Sequence, residues 1–144
     1  MIKIYREHRE AIFPTKAHVT DAGFDIYSIE RRVLIPGQRA LIQTGLRIIV
    51  PEDSYYTFAP RSSLAFKRNV IPSHHNVMDS GYRGNCAVLM YNRSSISYEI
   101  GKGDRFCQLI VYKVPYKLAE EISEDDLYGT SGDRKDAGFG SSGR

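Results

Sequence analysis

LRIIV-PED-SYYTFA-P-RSSLAF, running from Leu46 to Phe66, sets two strand-like runs around a turn and ends them at a proline. Leu46–Val50 and Ser54–Ala59 are rich in β-branched and aromatic residues, and Pro51–Glu52–Asp53 is a turn signal. Pro60 closes the second run, and Ser62–Phe66 alone reads as a short helical turn that Ser62 or Ser63 would cap. Outward from this stretch the same rhythm continues. Ile2–Tyr5, Phe24–Ser28, Val33–Ile35 and Arg39–Gln43 precede it, and Ala87–Tyr91, Ser97–Ile100 and Phe106–Val114 follow. Strand signals at about 8–12 residue spacing predict an all-β sandwich or barrel rather than βαβ units.

The chain has 144 residues, enough for one domain with a real core. Residues 1–116 are read as a β-barrel core and 117–144 as a mobile C-terminal arm of the same single domain. From Lys117 onward apolar content falls, an acidic stretch from Glu120 to Asp126 intervenes, and Gly, Ser and Asp then dominate. Phe139 between two glycines is an odd ring to leave in water, and it points to a tail that closes over a ligand.

Several function classes are excluded early. No run reaches the roughly 20 apolar residues of a membrane helix. The charged start MIKIYREHRE predicts a protein that is not secreted but cytoplasmic, or nuclear in a eukaryotic or viral setting. Cys86 and Cys107 lie in apolar runs and are expected as buried free thiols. The histidines lack zinc-ligand spacing, and a formal net charge of +3 does not by itself call for nucleic acid.

Five polar clusters carry the chemistry. Arg61, Ser62 and Ser63 open the helical turn, where hydroxyls and unpaired backbone N–H groups form a natural anion site. Arg134 with Gly140-Ser141-Ser142-Gly143 repeats that theme, since Gly and Ser N–H groups wrap a polyphosphate. Asp79, between Val77–Met78 and the Ser80–Gly81 turn, is the candidate general base, with Tyr82 three residues on. Asp25 would hold a divalent cation through water, with a strand-end salt bridge as its alternative role. In GDRFCQ, Asp104 and Arg105 most simply form an ion pair, and Gln108 faces either core or ligand.

In order, these clusters resemble the five motifs of the homotrimeric dUTPases. They are Ala22-Gly23-Phe24-Asp25, Pro60 to Ala65, Asp79 to Gly84, Gly103-Asp104-Arg105 with Gln108, and Arg134 with Gly138 to Gly143. The resemblance implies a distorted jelly-roll or β-clip barrel, forming a homotrimer with an exchanged C-terminal arm and shared active sites. It implies Mg2+-dependent cleavage of dUTP to dUMP and pyrophosphate by water attack at the α-phosphorus. That reaction limits uracil in DNA and supplies dUMP for dTTP synthesis. By the same resemblance Asp79 activates the water, Tyr82 lies against the deoxyribose, and Asp25 binds Mg2+ through water. Arg61, Ser62, Ser63, Gln108, Arg134, Gly140 and Ser141 meet phosphates, Asn76, Val77 and Met78 belong to the uracil hairpin, and Phe139 stacks on the base. Neither a membrane nor nucleic acid is an expected partner.

The chain departs from that pattern in places. Ser73-His74-His75-Asn76 lacks the glycine usual before the apolar pair, Lys135 follows Arg134 where glycine is usual, and Ser63 replaces a common glycine. A dCTP deaminase-type relative, with a similar Arg-Ser-Ser-Leu start, is the alternative, as is a non-catalytic nucleotide-binding regulator. Deaminases need a glutamate acid/base on the strand after the Asp79 turn, and Leu89 occupies its place.

Overall fold

The computed structural model describes residues 1–73, 77–115 and 118–129. Its strands are β1 (Lys3–Arg6), β2 (Gly23–Tyr27), β3 (Arg32–Leu34), β4 (Arg39–Ile49), β5 (Ser54–Ala59), β6 (Val70–Pro72), β7 (Met78–Asp79), β8 (Cys86–Asn92), β9 (Tyr98–Ile100) and β10 (Arg105–Lys113). Helix α1 (Ser62–Arg68) follows β5 and helix α2 (Glu124–Gly129) follows the last strand. One four-stranded sheet runs β1-β4-β8-β6, a second runs β2-β10-β5-β7, and β3 pairs with β9. All pairings are antiparallel. The all-β expectation therefore holds, and the strands read from the sequence lie within a residue of their expected ends, except in β4.

Alternation along the strands builds the core. Ile42, Leu46 and Ile48 of β4, Val88 and Met90 of β8, Tyr56 and Phe58 of β5, and Phe106 and Leu109 of β10 are all buried in one cluster. Antiparallel sheets joined this way bury one face each and leave the other for solvent or a partner. Asn92 is fully buried at the end of β8, where its amide donates to the Leu34 and Ile96 carbonyls and its oxygen accepts from Ser94. Every polar group of that side chain is thus satisfied, as burial demands.

Four local features differ from the sequence reading. Arg39–Gln43 and Leu46–Val50 are one strand, because an irregularity between Gln43 and Leu46 interrupts the alternation without ending the pairing. Gly45 sits in that bulge at a φ of 66°, a conformation that favours glycine. Short edge strands β6 and β7 were not legible, since three residues ending in proline and two residues beside a turn give no periodic signal. Helix α1 is capped by Arg61 in extended conformation with no side-chain cap, so neither serine caps it. In the acidic stretch Ser123 accepts from the Asp126 N–H at 3.1 Å, and Glu124, Asp125 and Asp126 fill the favourable first turn of α2.

Among the described residues no helix is long and apolar enough to cross a membrane. The expected boundary between core and arm falls on residues 116–117, outside those described. Both cysteines are free and buried, and burial raises both thiols above their ordinary value. In the folded protein they therefore stay protonated at pH values where the unfolded chain ionises. Their contribution to stability is complete below the ordinary thiol value and is lost as pH rises through the folded values. A chromogenic disulfide reagent at pH 8 should label neither thiol in the native protein and both in denaturant. Rapid native labelling would show that the core opens around them.

Candidate functional site

Strand register assembles the first group of polar side chains. Asp25 of β2 stands opposite Gln108 of β10, and Gln108 stands opposite Ala59, the last residue of β5. Ile26, Phe58 and Leu109 point into the core, so Asp25, Gln108 and Ala59 share the outer face of the second sheet. Pro60 then follows the end of β5, and α1 begins at Ser62 with Leu64 buried in the core. The amide of Gln108 donates to the Pro60 carbonyl at 2.8 Å, tying β10 to the start of the helix.

Asp25 is the hub of this end. Arg61 Nε donates to Oδ1 at 2.8 Å, and Arg105 Nη1 donates to Oδ2 at 3.2 Å. A second Arg61 nitrogen donates to the Arg105 carbonyl at 3.0 Å. The Asp25 side chain is only 18% exposed. Its strand-end salt bridge, the alternative role, is therefore present. The expected Asp104–Arg105 pair is not. Asp104 instead accepts from the Gly101 N–H at 2.8 Å and closes the turn before β10. A register shift between Arg105 and Cys107 turns the Arg105 side chain toward Asp25. A one-residue slip of this kind leaves no trace in a sequence, so Arg105 was missed as a member of the site. Ser62 and Ser63 keep exposed hydroxyls that no cap consumes.

The second group lies at the other end of β5. Asp79 and Met78 pair with Tyr55 and Tyr56. Asp79 is exposed and borders a cavity of about 340 Å3 lined also by Glu52, Tyr55, Val77 and Val114. Val77 is exposed and Met78 packs partly on the core. Tyr82 N–H donates to the Asp79 carbonyl at 3.0 Å, so a tight turn follows Asp79 and holds the Tyr82 backbone to it. The ring rests against Gly84, where a Cβ would come within 2.3 Å of the Tyr82 hydroxyl, and that hydroxyl donates to the Asn85 carbonyl at 3.0 Å.

One chain does not bring the two groups together. Tyr55 and Ala59 are four residues apart on β5, roughly 13 Å at about 3.3 Å per residue. From β2 to β7 is three strand spacings, roughly 14 Å more across the sheet. Asp25, Arg61, Arg105 and Gln108 thus form one cluster, and Asp79 with Tyr82 another. Asn76, Arg134, Phe139, Gly140 and Ser141 lie outside the described residues.

Among the described residues no three His, Cys, Asp or Glu side chains gather as a metal cage. Asp25 is a carboxylate held between two of the anion-binding groups, Arg61 and Arg105. That donor set suits a hard cation held largely by water and phosphate oxygens, as Mg2+ commonly is, and would not hold a zinc ion.

Comparison with known proteins gives concordant matches. A family model described as dUTPase matches residues 9–143. The deoxyuridine 5'-triphosphate nucleotidohydrolase of Solibacter usitatus is 40% identical over 146 residues, covering 99% of this chain and 96% of the relative. The enzyme of that name from Candida albicans is 36% identical over 143 residues, covering 99% and 88%. Among solved structures, the Staphylococcus bacteriophage 80alpha dUTPase with dUPNHPP superposes with a TM-score of 0.90 at 26% identity, covering 100% of this chain and 99% of that one.

Proposed function

The chain belongs to the dUTPase family, and from that membership we propose that it hydrolyses dUTP to dUMP and pyrophosphate by water attack at the α-phosphorus. The reaction lowers dUTP and supplies dUMP. The observation that carries the reading is the cluster at the end of β5, where Arg61 and Arg105 hold Asp25, Gln108 is tied to Pro60, and α1 begins with the exposed, uncapping Ser62 and Ser63. Asp79 and Tyr82 supply, on one rigid turn, a base and a ring suited to a sugar face.

In this reading Ser62, Ser63 and Gln108 bind phosphate oxygens, joined by Arg134, Gly140 and Ser141 of the arm. Arg61 acts from the same place, and with Arg105 it fixes the Asp25 carboxylate. Asp25 would hold Mg2+ through water, and the bound ion would neutralise charge on the triphosphate. Asp79 removes the proton from the attacking water. Tyr82 lies against the deoxyribose, Asn76, Val77 and Met78 border uracil, and Phe139 stacks on it.

The separation of Asp25 from Asp79 supports a site shared between subunits of a homotrimer. A base and a metal-binding carboxylate nearly 20 Å apart, by the strand spacings above, cannot meet at one phosphorus within a single chain. A second copy closes that gap.

A deaminase reading fares worse. Leu89 stands on β8 opposite Leu41 of β4, and neither side chain can move a proton. A product assay with dUTP, dCTP, dTTP and UTP, with Mg2+ and with EDTA, tests the assignment. Pyrophosphate and dUMP from dUTP alone, lost in EDTA, are expected. Ammonia from dCTP would establish deamination instead, and no turnover of any nucleotide would leave a binding role.

A further inference from the structure

The two residues of the Asp79 turn that matter most are held in different ways. Asp79 is fixed by sheet pairing with β5. Tyr82 lies beyond the strand, on the stretch that leaves the second sheet at Ser80 and enters the first at Cys86. Side chains of β4 hold that stretch. Asn85 Nδ2 donates to Gln43 Oε1 at 2.8 Å, and Arg47 Nη1 donates to the Arg83 carbonyl at 3.0 Å. The β4 bulge lies between Gln43 and Arg47, so the anchors grip the turn at two separate points.

Arg83 passes the second grip inward. Its guanidinium donates to the Ser80 carbonyl at 2.6 Å and to the Tyr82 carbonyl at 2.9 Å. The Tyr82 ring rests on Gly84, the residue after Arg83. Glu7, just past the end of β1, accepts from the other terminal nitrogen of Arg47 and so orients the guanidinium. That hydrogen bond also holds the Glu7 carboxyl below its ordinary range.

We propose that Arg47, braced by Glu7, is a positioning residue that sets the place of the Tyr82 ring and thereby the rejection of ribonucleotides. The proposal rests on the reading of Tyr82 against deoxyribose. Rejecting a 2'-hydroxyl by a ring face is steric, so it depends on where the ring stands to within fractions of an ångström. The hydrogen bonds of Arg47 go to Arg83 and Glu7, not to Asp79. Its loss frees one edge of the turn and leaves the base in its strand.

Arg47→Ala should therefore keep kcat for dUTP within about twofold, while the ratio of kcat/KM for dUTP over UTP falls roughly three- to tenfold, the equivalent of one hydrogen bond. Arg47→Lys, which retains a donor, should recover part of that ratio, and Glu7→Gln should lie between. The melting temperature should hardly move, since Arg47 and Glu7 are both substantially exposed. An unchanged ratio in Arg47→Ala would overturn the proposal, as would equal losses on both substrates. If that variant fails to fold, Glu7→Gln decides, and an unchanged ratio there overturns it. A wild-type protein that hydrolyses dUTP but does not discriminate against UTP would instead remove the role of Tyr82 and this inference with it. One with no dUTP turnover would remove the proposed reaction itself.

Discussion

Asp79→Asn is expected to lower kcat for dUTP by about a thousandfold, within the range a positioned general base contributes. Asparagine matches aspartate in shape but cannot take a proton from water. Pairing of β7 with β5 runs through the backbone at Asp79 and Met78 and survives the change. Because Asp79 is exposed, folding stability should change by less than about 1 kcal/mol. Affinity for a non-hydrolysable dUTP analogue, read by calorimetry, should be retained or slightly improved. The substitution removes a negative charge that faces a polyanion. A kcat within tenfold of wild type, on the order of what weak solvent-mediated effects supply, would take Asp79 out of the base role. Loss of analogue binding in parallel with kcat would make Asp79 a binding group instead.

How much of this was legible beforehand follows from what each feature depends on. Strand β8 announces itself because burial alternates along its whole length, and β5 and β10 do so through their aromatic and β-branched content. Their place in the sheets is another matter. That Asp25, Gln108 and Ala59 form a row, and that Asp79 pairs with Tyr55, four residues from Ala59 along β5, comes from register between distant segments. The identity of Asp25, Arg61, Gln108 and Asp79 as functional candidates was readable because each sits in a motif of distinctive composition. Their partners were not. Arg105 reaches Asp25 only because a bulge at the start of β10 rotates it, and Asp104, its neighbour in sequence, closes a turn. Arg47 gave no signal at all: in β4 it reads as an ordinary outward-facing residue, and its role emerges only where the turn after Asp79 folds back on that strand. Local chemistry is written in local sequence; the second layer that aims it is set by tertiary contacts.

Restoring activity by mixing two inactive proteins is the sharpest test of the shared site. Arg61→Ala should remove a charged donor and one of the two arginines that fix Asp25, costing about a hundredfold in kcat, as loss of one charge-stabilising group commonly does. Asp79→Asn is inactive for a different reason and on a different cluster. In a cyclic trimer each site would take its Arg61 from one subunit and its Asp79 from a neighbour. When the two variants are co-refolded in equal amounts, a site is intact if its first subunit carries Asp79→Asn and its neighbour carries Arg61→Ala. Random assembly makes that arrangement in about a quarter of sites. Specific activity should then rise from near zero to about a quarter of wild type, with tandem affinity tags confirming that mixed oligomers formed. If both residues served the same site from one chain, every site in the mixture would lack one of them and no activity would return. Mixed trimers without activity would contradict the separation that β5 imposes between Asp25 and Asp79, because a strand cannot fold its two ends onto one phosphorus.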